Sequence, residues 1–225
     1  MGKFLRFIGI LFLGLTSALI VLSGVGTICV ATNPTKYDGM EAIAQYQWLY
    51  LFYVIAFIVI GVMGIRAVVQ LVRGKPNAYR DALVTLIAGI VVGAIHMTTS
   101  RALRADGSSM PLDFIVYAMV FTLLLFLIFR IPGVWEKVDF EHHADDSSEA
   151  AGGMAAIVAG FLVLSVQMWA GPTHIFDGVN LADAFHPTMM AVGSLLLLFG
   201  IGLLAHAILK MKEKETLPVQ APVME

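Results

Sequence analysis

Apolar residues fall into six long segments of this chain, and charged residues are nearly absent from each of them. The segments are continuously apolar and do not alternate with polar positions, so they predict helices and argue against a β-barrel. A helix needs about 20 predominantly apolar residues to cross a bilayer. The predicted membrane-spanning segments are Phe7–Ala31, Trp48–Val72, Ala82–Ser100, Phe114–Phe129, Ala150–Gly171 and Pro187–Leu209.

The composition supports the same interpretation. Hydrophobic residues make up 59% of the chain and charged residues 13%, whereas a soluble domain is about 25% charged. Lipid must therefore be the solvent for much of the surface. We predict an all-α, polytopic integral membrane protein in which residues 1–210 form one bundle of six helices. Residues 211–225 are expected to form a short, charged and mobile cytoplasmic tail.

The distribution of Lys and Arg predicts the orientation, because cytoplasmic loops carry an excess of these residues. With the N-terminus inside, eleven of the fourteen basic residues lie on the cytoplasmic side. The three on the outer side are Lys36, Arg101 and Arg104. Six spans then place both termini in the cytoplasm and the loops 32–47, 101–113 and 172–186 outside. The predicted location is the cytoplasmic (inner) membrane.

One face of the third span carries small and polar residues. Thr85, Gly89, Gly93, His96 and Ser100 recur at helical spacing. Gly89 and Gly93 would allow another helix to approach closely, so His96 is expected to point into the bundle. An ionisable residue inside a membrane indicates function by default. The structural alternative is a neutral histidine that bonds a neighbouring carbonyl.

Polar residues accumulate at the predicted outer end of this span, and we predict a ligand-binding site there. Arg101 and Arg104 follow His96, and the last outer loop adds two histidines and two aspartates. The site requires spans three and six to lie close together. The alternative is a set of salt bridges that closes the outer face and adds little stability. The candidate site residues are His96, Arg101, Arg104, His174, Asp177, Asp183 and His186.

A haem b site is an alternative use of two of these residues. Haem b takes two axial imidazoles from facing helices. His96 and His186 would lie at a similar depth near the outer surface. This hypothesis makes the protein an electron-transfer subunit that holds haem b or a quinone, and it leaves the cofactor open.

Other features restrict the function further. The chain has no GxxxxGK[ST], HExxH, GxGxxG or CxxC motif, and no metal site is predicted. No Asp or Glu lies deep in a span, which argues against a pump built on buried carboxylates. Arg66 interrupts the second span and is expected to extend to the interface or to pair with Asp81.

The sequence thus favours a non-catalytic structural or accessory subunit of a membrane complex, with a polar site on its outer face. The alternatives are the haem b or quinone subunit and a small transporter. A weak similarity between the two halves, each with a histidine after glycine in its third span, is the only indication of a transporter. The expected partners are the lipid bilayer and other membrane subunits or a second copy of the chain, and not nucleic acid.

Overall fold

The computed structural model describes residues 2–138, 140, 146–169, 175–176 and 178–216. The regular structure of these residues is helical apart from one hairpin with two strands of two residues each, in which Ile175 pairs with Asn180 and Phe176 with Val179. Two short 3₁₀ helices, Pro34–Lys36 and Glu41–Tyr46, lie between the first two long helices. The α-helices are α1 (Gly2–Thr32), α2 (Gln47–Val72), α3 (Ala78–Leu103), α4 (Leu112–Phe129), α5 (Trp135–Val138), α6 (Asp146–Leu164), α7 (Val166–Trp169), α8 (Leu181–Ala184) and α9 (His186–Thr216).

The fold confirms an all-α, polytopic membrane protein. Within the described residues, five helices are long and apolar enough to cross a membrane by length and composition. They lie in the regions of predicted spans one to four and six. The predicted fifth span is shorter than expected, because its helix ends at Leu164 and α7 begins only after Ser165. Six crossings and the orientation of the termini therefore stay predictions.

Ser165 separates α6 from α7. Both the amide and the hydroxyl of Ser165 donate to the carbonyl of Phe161, at 3.0 Å and 2.8 Å. Ser17 of α1 and Thr122 of α4 make the same kind of bond within unbroken helices, so this bond alone does not end α6. The predicted continuous segment Ala150–Gly171 is divided at Ser165, and its last two residues lie outside the described ones.

The turn between α2 and α3 follows from its sequence. Gly74 adopts a left-handed conformation with φ of 59° directly after α2, as expected for a glycine that ends a helix. Asn77 precedes α3 at φ of 68° and makes no capping hydrogen bond with its side chain. Its carbonyl accepts from the amide of Asp81 at 2.9 Å. The two helices are therefore antiparallel neighbours, as the short connection predicts.

Helices α1 to α4 form a central bundle, α6 packs against α1, and α9 packs mainly against α6. The bundle has one buried cluster at each end. Tyr50, Phe57 and Met119 belong to the cluster at the predicted outer end. Phe126 and Phe140 belong to the one at the predicted cytoplasmic end. The buried Phe140 shows that part of the segment after α4 folds back under the bundle.

Glycines set the distance between α6 and α9. A Cβ placed on Gly153 would lie 2.8 Å from the carbonyl oxygen of Gly200, and one on Gly160 would lie 2.9 Å from that of Gly193. Two glycine pairs, each seven residues apart, thus bring the two backbones together. By contrast, Gly202 has nothing within 4 Å of its Cβ position. The helix α9 also continues to Thr216, so the predicted tail begins inside this helix.

Candidate functional site

His96 lies on the buried face of α3, as its spacing from Gly89 and Gly93 predicts. Its side chain is 4% exposed. The imidazole stacks on the ring of Tyr53 at 4.2 Å, with an angle of 18° between the planes. The rings of Tyr50 and Phe57 lie at 5.2 Å and 5.8 Å from it. Three aromatic residues of α2 therefore enclose the histidine.

The polar groups around His96 are bonded to one another and not to the imidazole. The hydroxyls of Tyr50 and Ser100 are 2.9 Å apart, and those of Tyr53 and Thr99 are 3.1 Å apart. Within the described residues, the buried Nδ1 of His96 has no hydrogen-bond partner. The expected bond to a neighbouring carbonyl is therefore not seen at this nitrogen. Stacking and burial hold the ring instead.

Arg101 and Arg104 find their partners in the loop that follows α3 and in the first turn of α4. Arg101 donates from Nη2 to Oδ1 of Asp113 at 2.7 Å and from Nε to the hydroxyl of Ser109 at 3.1 Å. The hydroxyl of Ser109 in turn donates to the same Oδ1 at 2.6 Å. This network holds the first turn of α4 against the end of α3, and Ser109 is buried within it.

The second arginine closes the same loop. Arg104 donates to the carbonyl of Met110 at 3.0 Å and to Oδ2 of Asp106 at 3.3 Å. The carboxylates that meet the two arginines thus come from the loop after α3, which supplies Asp106, and from the first turn of α4, which supplies Asp113. Asp183 accepts a hydrogen bond of 2.7 Å from Gln167 instead. The expected pairing between the third and sixth spans is not observed for Asp183, and Asp177 and His174 lie outside the described residues.

The two histidines of the haem hypothesis are not brought together. His186 is exposed at the start of α9, whereas His96 is enclosed by rings of α2. The main neighbour of α9 is α6, and α3 packs against α2 and α4. A haem iron would also have to reach a ring nitrogen of His96 through this aromatic enclosure. The arrangement gives no support to bis-histidine ligation by this pair.

Two polar clusters that the sequence did not reveal lie at the predicted cytoplasmic end. Arg6 is 3% exposed. It donates from Nη2 to the carbonyl of Leu71 at 3.0 Å and from Nε to the hydroxyl of Ser148 at 2.6 Å. The sequence signal that could have indicated its burial is helical spacing, because Arg6 lies on the same face of α1 as the buried Ile10 and Leu13. In the sequence, Arg6 is one of the eleven basic residues on the predicted cytoplasmic side, and this count does not indicate its burial.

The other missed cluster joins α6 to α9. Lys210 donates to Oε1 of Glu149 at 2.7 Å, and Nε2 of His206 lies 3.9 Å from Oε2. The side chain of Glu149 is 20% exposed, against 58% for that of His206. This partly buried carboxylate is matched by a lysine on the neighbouring helix. These ionic contacts therefore join the start of α6 to the C-terminal half of α9.

In the part of the chain that the structure describes, no group of three or more His, Cys, Asp or Glu residues could hold a metal ion. Comparison of the chain with protein-family models, with curated proteins and with solved structures gave no match.

Proposed function

We propose that this multi-pass membrane protein is a non-catalytic accessory subunit that binds a membrane partner through α9. The observation that carries the proposal is the position of this helix. Only 17% of the residues in its apolar segment are buried inside the protein, whereas 33–39% are buried in the apolar segments of the other four long helices. Among the residues that the structure describes, its one extensive contact is with α6, and these residues leave most of its circumference open to lipid or to another transmembrane helix.

The uncovered surface of α9 carries small and polar residues besides large apolar ones. Gly202 and Ala205 are exposed and close to one another along the helix, and His206 beside them keeps a side-chain exposure of 58% although it lies 3.9 Å from Glu149 of α6. Glycine costs about 1 kcal/mol relative to alanine in a helix interior, and nothing within the described residues packs against Gly202. Contacts between membrane helices are enriched in small residues and in polar residues that bond across the interface. These three residues therefore favour a helix partner over lipid alone.

The polar groups of the central bundle support a structural role. They bond to one another between helices, as in the hydrogen bond of 2.8 Å between Thr16 of α1 and Thr122 of α4. Tyr50 and Ser100 make the corresponding link between α2 and α3. Such bonds between spans stabilise a helix bundle.

The predicted outer face is the second element of the proposal. The side chain of Arg101 remains 44% exposed although it pairs with Asp113. This network presents a fixed and partly exposed guanidinium group, paired with a carboxylate, to a polar partner surface. We therefore keep Arg101 and Arg104 as the outer contact residues of the proposed subunit.

Photo-crosslinking in cells tests the role of α9. A photoreactive amino acid at Ala205 or Leu198 should form a discrete protein adduct, and the mass of the adduct separates a second copy from another subunit. The same probe at Val91 of α3 and Phe121 of α4, both exposed, is the control and should label mainly lipid. Equal labelling at all four positions would refute an α9 interface. In addition, Gly202→Leu should weaken the adduct at Ala205 without lowering the yield of the protein.

A further inference from the structure

A groove between α2 and α3 lies at the end where the two helices are connected. It has a volume of about 300 Å³ and is lined by Met63, Arg66, Arg80, Asp81, Val84 and Thr85. This volume is at the lower limit of small-molecule pockets. A groove of this volume can hold the headgroup of a lipid but not its acyl chains. The groove shares no residue with the outer network or with the exposed face of α9.

Arg66 lies within the apolar part of α2 and is exposed. It is six residues before the end of the helix, which places it about 9 Å from that end along the axis. Within the described residues, no acidic side chain forms an ion pair with Arg66. A charge in a membrane-spanning helix requires a counter-charge or access to water, because its transfer into lipid is costly.

Arg80 lies in the first turn of α3, closer to the helix end than Arg66. Its side chain is 70% exposed, and its Nη2 lies 3.6 Å from Oδ1 of Asp81. The groove thus contains two guanidinium groups against one carboxylate and keeps one net positive charge. The expected pairing of Arg66 with Asp81 is replaced by this neighbouring pair.

We infer that this groove binds the phosphodiester of an anionic phospholipid headgroup. A phosphodiester carries one negative charge, which matches the net charge of the groove. Guanidinium groups bind phosphate oxygens in a bidentate manner with charge-assisted hydrogen bonds. Arg66 lies deeper than Arg80, so a headgroup between them keeps its acyl chains along the exposed apolar surface of α2 on the deeper side of Arg66, which includes Val59 and Val62.

Native mass spectrometry of the delipidated full-length protein in neutral detergent tests the inference. The probes are phosphatidylglycerol and phosphatidylcholine with identical acyl chains. We expect the wild type to prefer phosphatidylglycerol, and Arg66→Gln to weaken its binding about tenfold, as expected when a charged hydrogen bond is lost. Arg73→Gln is the matched control, because Arg73 is exposed on the adjoining turn outside the groove. It should bind within about twofold of the wild type.

Three outcomes would overturn the inference. Equal binding of the two lipids to the wild type would show that the anionic headgroup is not recognised. Unchanged phosphatidylglycerol binding in both Arg66→Gln and Arg80→Gln would show that the groove is not the site. Stabilisation of the lipid-free protein by inorganic phosphate, together with displacement of phosphatidylglycerol, would assign the groove to free phosphate.

The exposed Arg80 provides a second variant if Arg66→Gln does not fold, because replacement of an exposed side chain is expected to leave the fold intact. Arg66→Lys keeps the charge and loses the bidentate geometry, so its affinity should lie between those of the wild type and Arg66→Gln. Retention of full affinity by Arg80→Gln, with Arg66→Gln unfolded, would count against the two-arginine site.

Discussion

Arg6 and Ser148 are 142 residues apart in the sequence and are joined by a hydrogen bond of 2.6 Å from Nε to Oγ. The same guanidinium bonds the carbonyl of Leu71 and lies 5.6 Å from the centre of the Phe140 ring. One side chain therefore connects α1 with the end of α2, with α6 and with the segment after α4. A buried charge needs such partners because its desolvation is costly.

Removal of the hydroxyl should weaken this junction. Ser148→Ala is expected to lower the free energy of unfolding by about 1–3 kcal/mol, because it leaves a buried charged donor without this acceptor. Ser194→Ala in α9 is the control, since no hydrogen bond of its side chain is found among the described residues. Denaturant unfolding in detergent measures both variants. Equal effects would mean that the Arg6 junction does not contribute to stability.

Two glycines of α9 should respond to alanine with opposite signs. A Cβ on Gly200 would lie 2.6 Å from the carbonyl oxygen of Gly153, so Gly200→Ala should cost about 1–3 kcal/mol through overpacking. Gly202 has open space at this position. Gly202→Ala should therefore stabilise the isolated protein by up to about 1 kcal/mol through helix propensity. Thermal unfolding of the two variants tests this prediction. A change of melting temperature with the same sign in both would contradict the packing of α6 and α9.

Gly89 and Gly93 of α3 should differ in how well they tolerate replacement by alanine. A Cβ on Gly89 would meet the sulfur of Met119 at 2.6 Å, and one on Gly93 would meet Cγ2 of Val116 at 2.8 Å. Methionine is flexible, whereas valine has restricted side-chain rotation. We therefore expect Gly93→Ala to lower the melting temperature more than Gly89→Ala. Val91→Ala, at an exposed position of the same helix, should have little effect. The opposite order for the two glycines would show that rotamer freedom does not decide the outcome.

Substitutions of His96 separate a packing role from a binding role. His96→Ala should destabilise by about 2–5 kcal/mol, because it opens a cavity among three rings. His96→Phe should be close to neutral, because the buried Nδ1 makes no hydrogen bond that would be lost. Melting temperatures of both variants test this expectation. If phenylalanine were as damaging as alanine, the imidazole nitrogens would have a ligand in the native protein.

Double-mutant cycles test which carboxylates the outer arginines meet. The losses in melting temperature for Arg101→Ala and Asp113→Ala should be less than additive, because the two side chains share a bond of 2.7 Å. The pair Arg104→Ala and Asp183→Ala should be additive, since the observed partners of these residues are Asp106 and Gln167. Coupling in the second cycle would restore the pairing between the two outer loops that the sequence predicts.

The sequence by itself determined the class of protein and much of its local structure. Long apolar segments must form helices in lipid, because every backbone polar group has to be bonded within its own segment. The left-handed Gly74 and the buried face that contains Gly93 and His96 also follow from local rules. These features depend on residue type and helical spacing, and both can be read along one segment.

The tertiary structure decided which helices meet and which charges pair. Hydropathy cannot show which side of an apolar helix is buried, because lipid is as apolar as a protein interior. The peripheral position of α9 and the open surface at Gly202 therefore became visible only in the folded chain. Opposite charges on two loops likewise look equivalent in a sequence. Only the folded chain shows that Arg101 reaches Asp113 and that Arg6, one of the basic residues on the predicted cytoplasmic side, is buried beside Ser148.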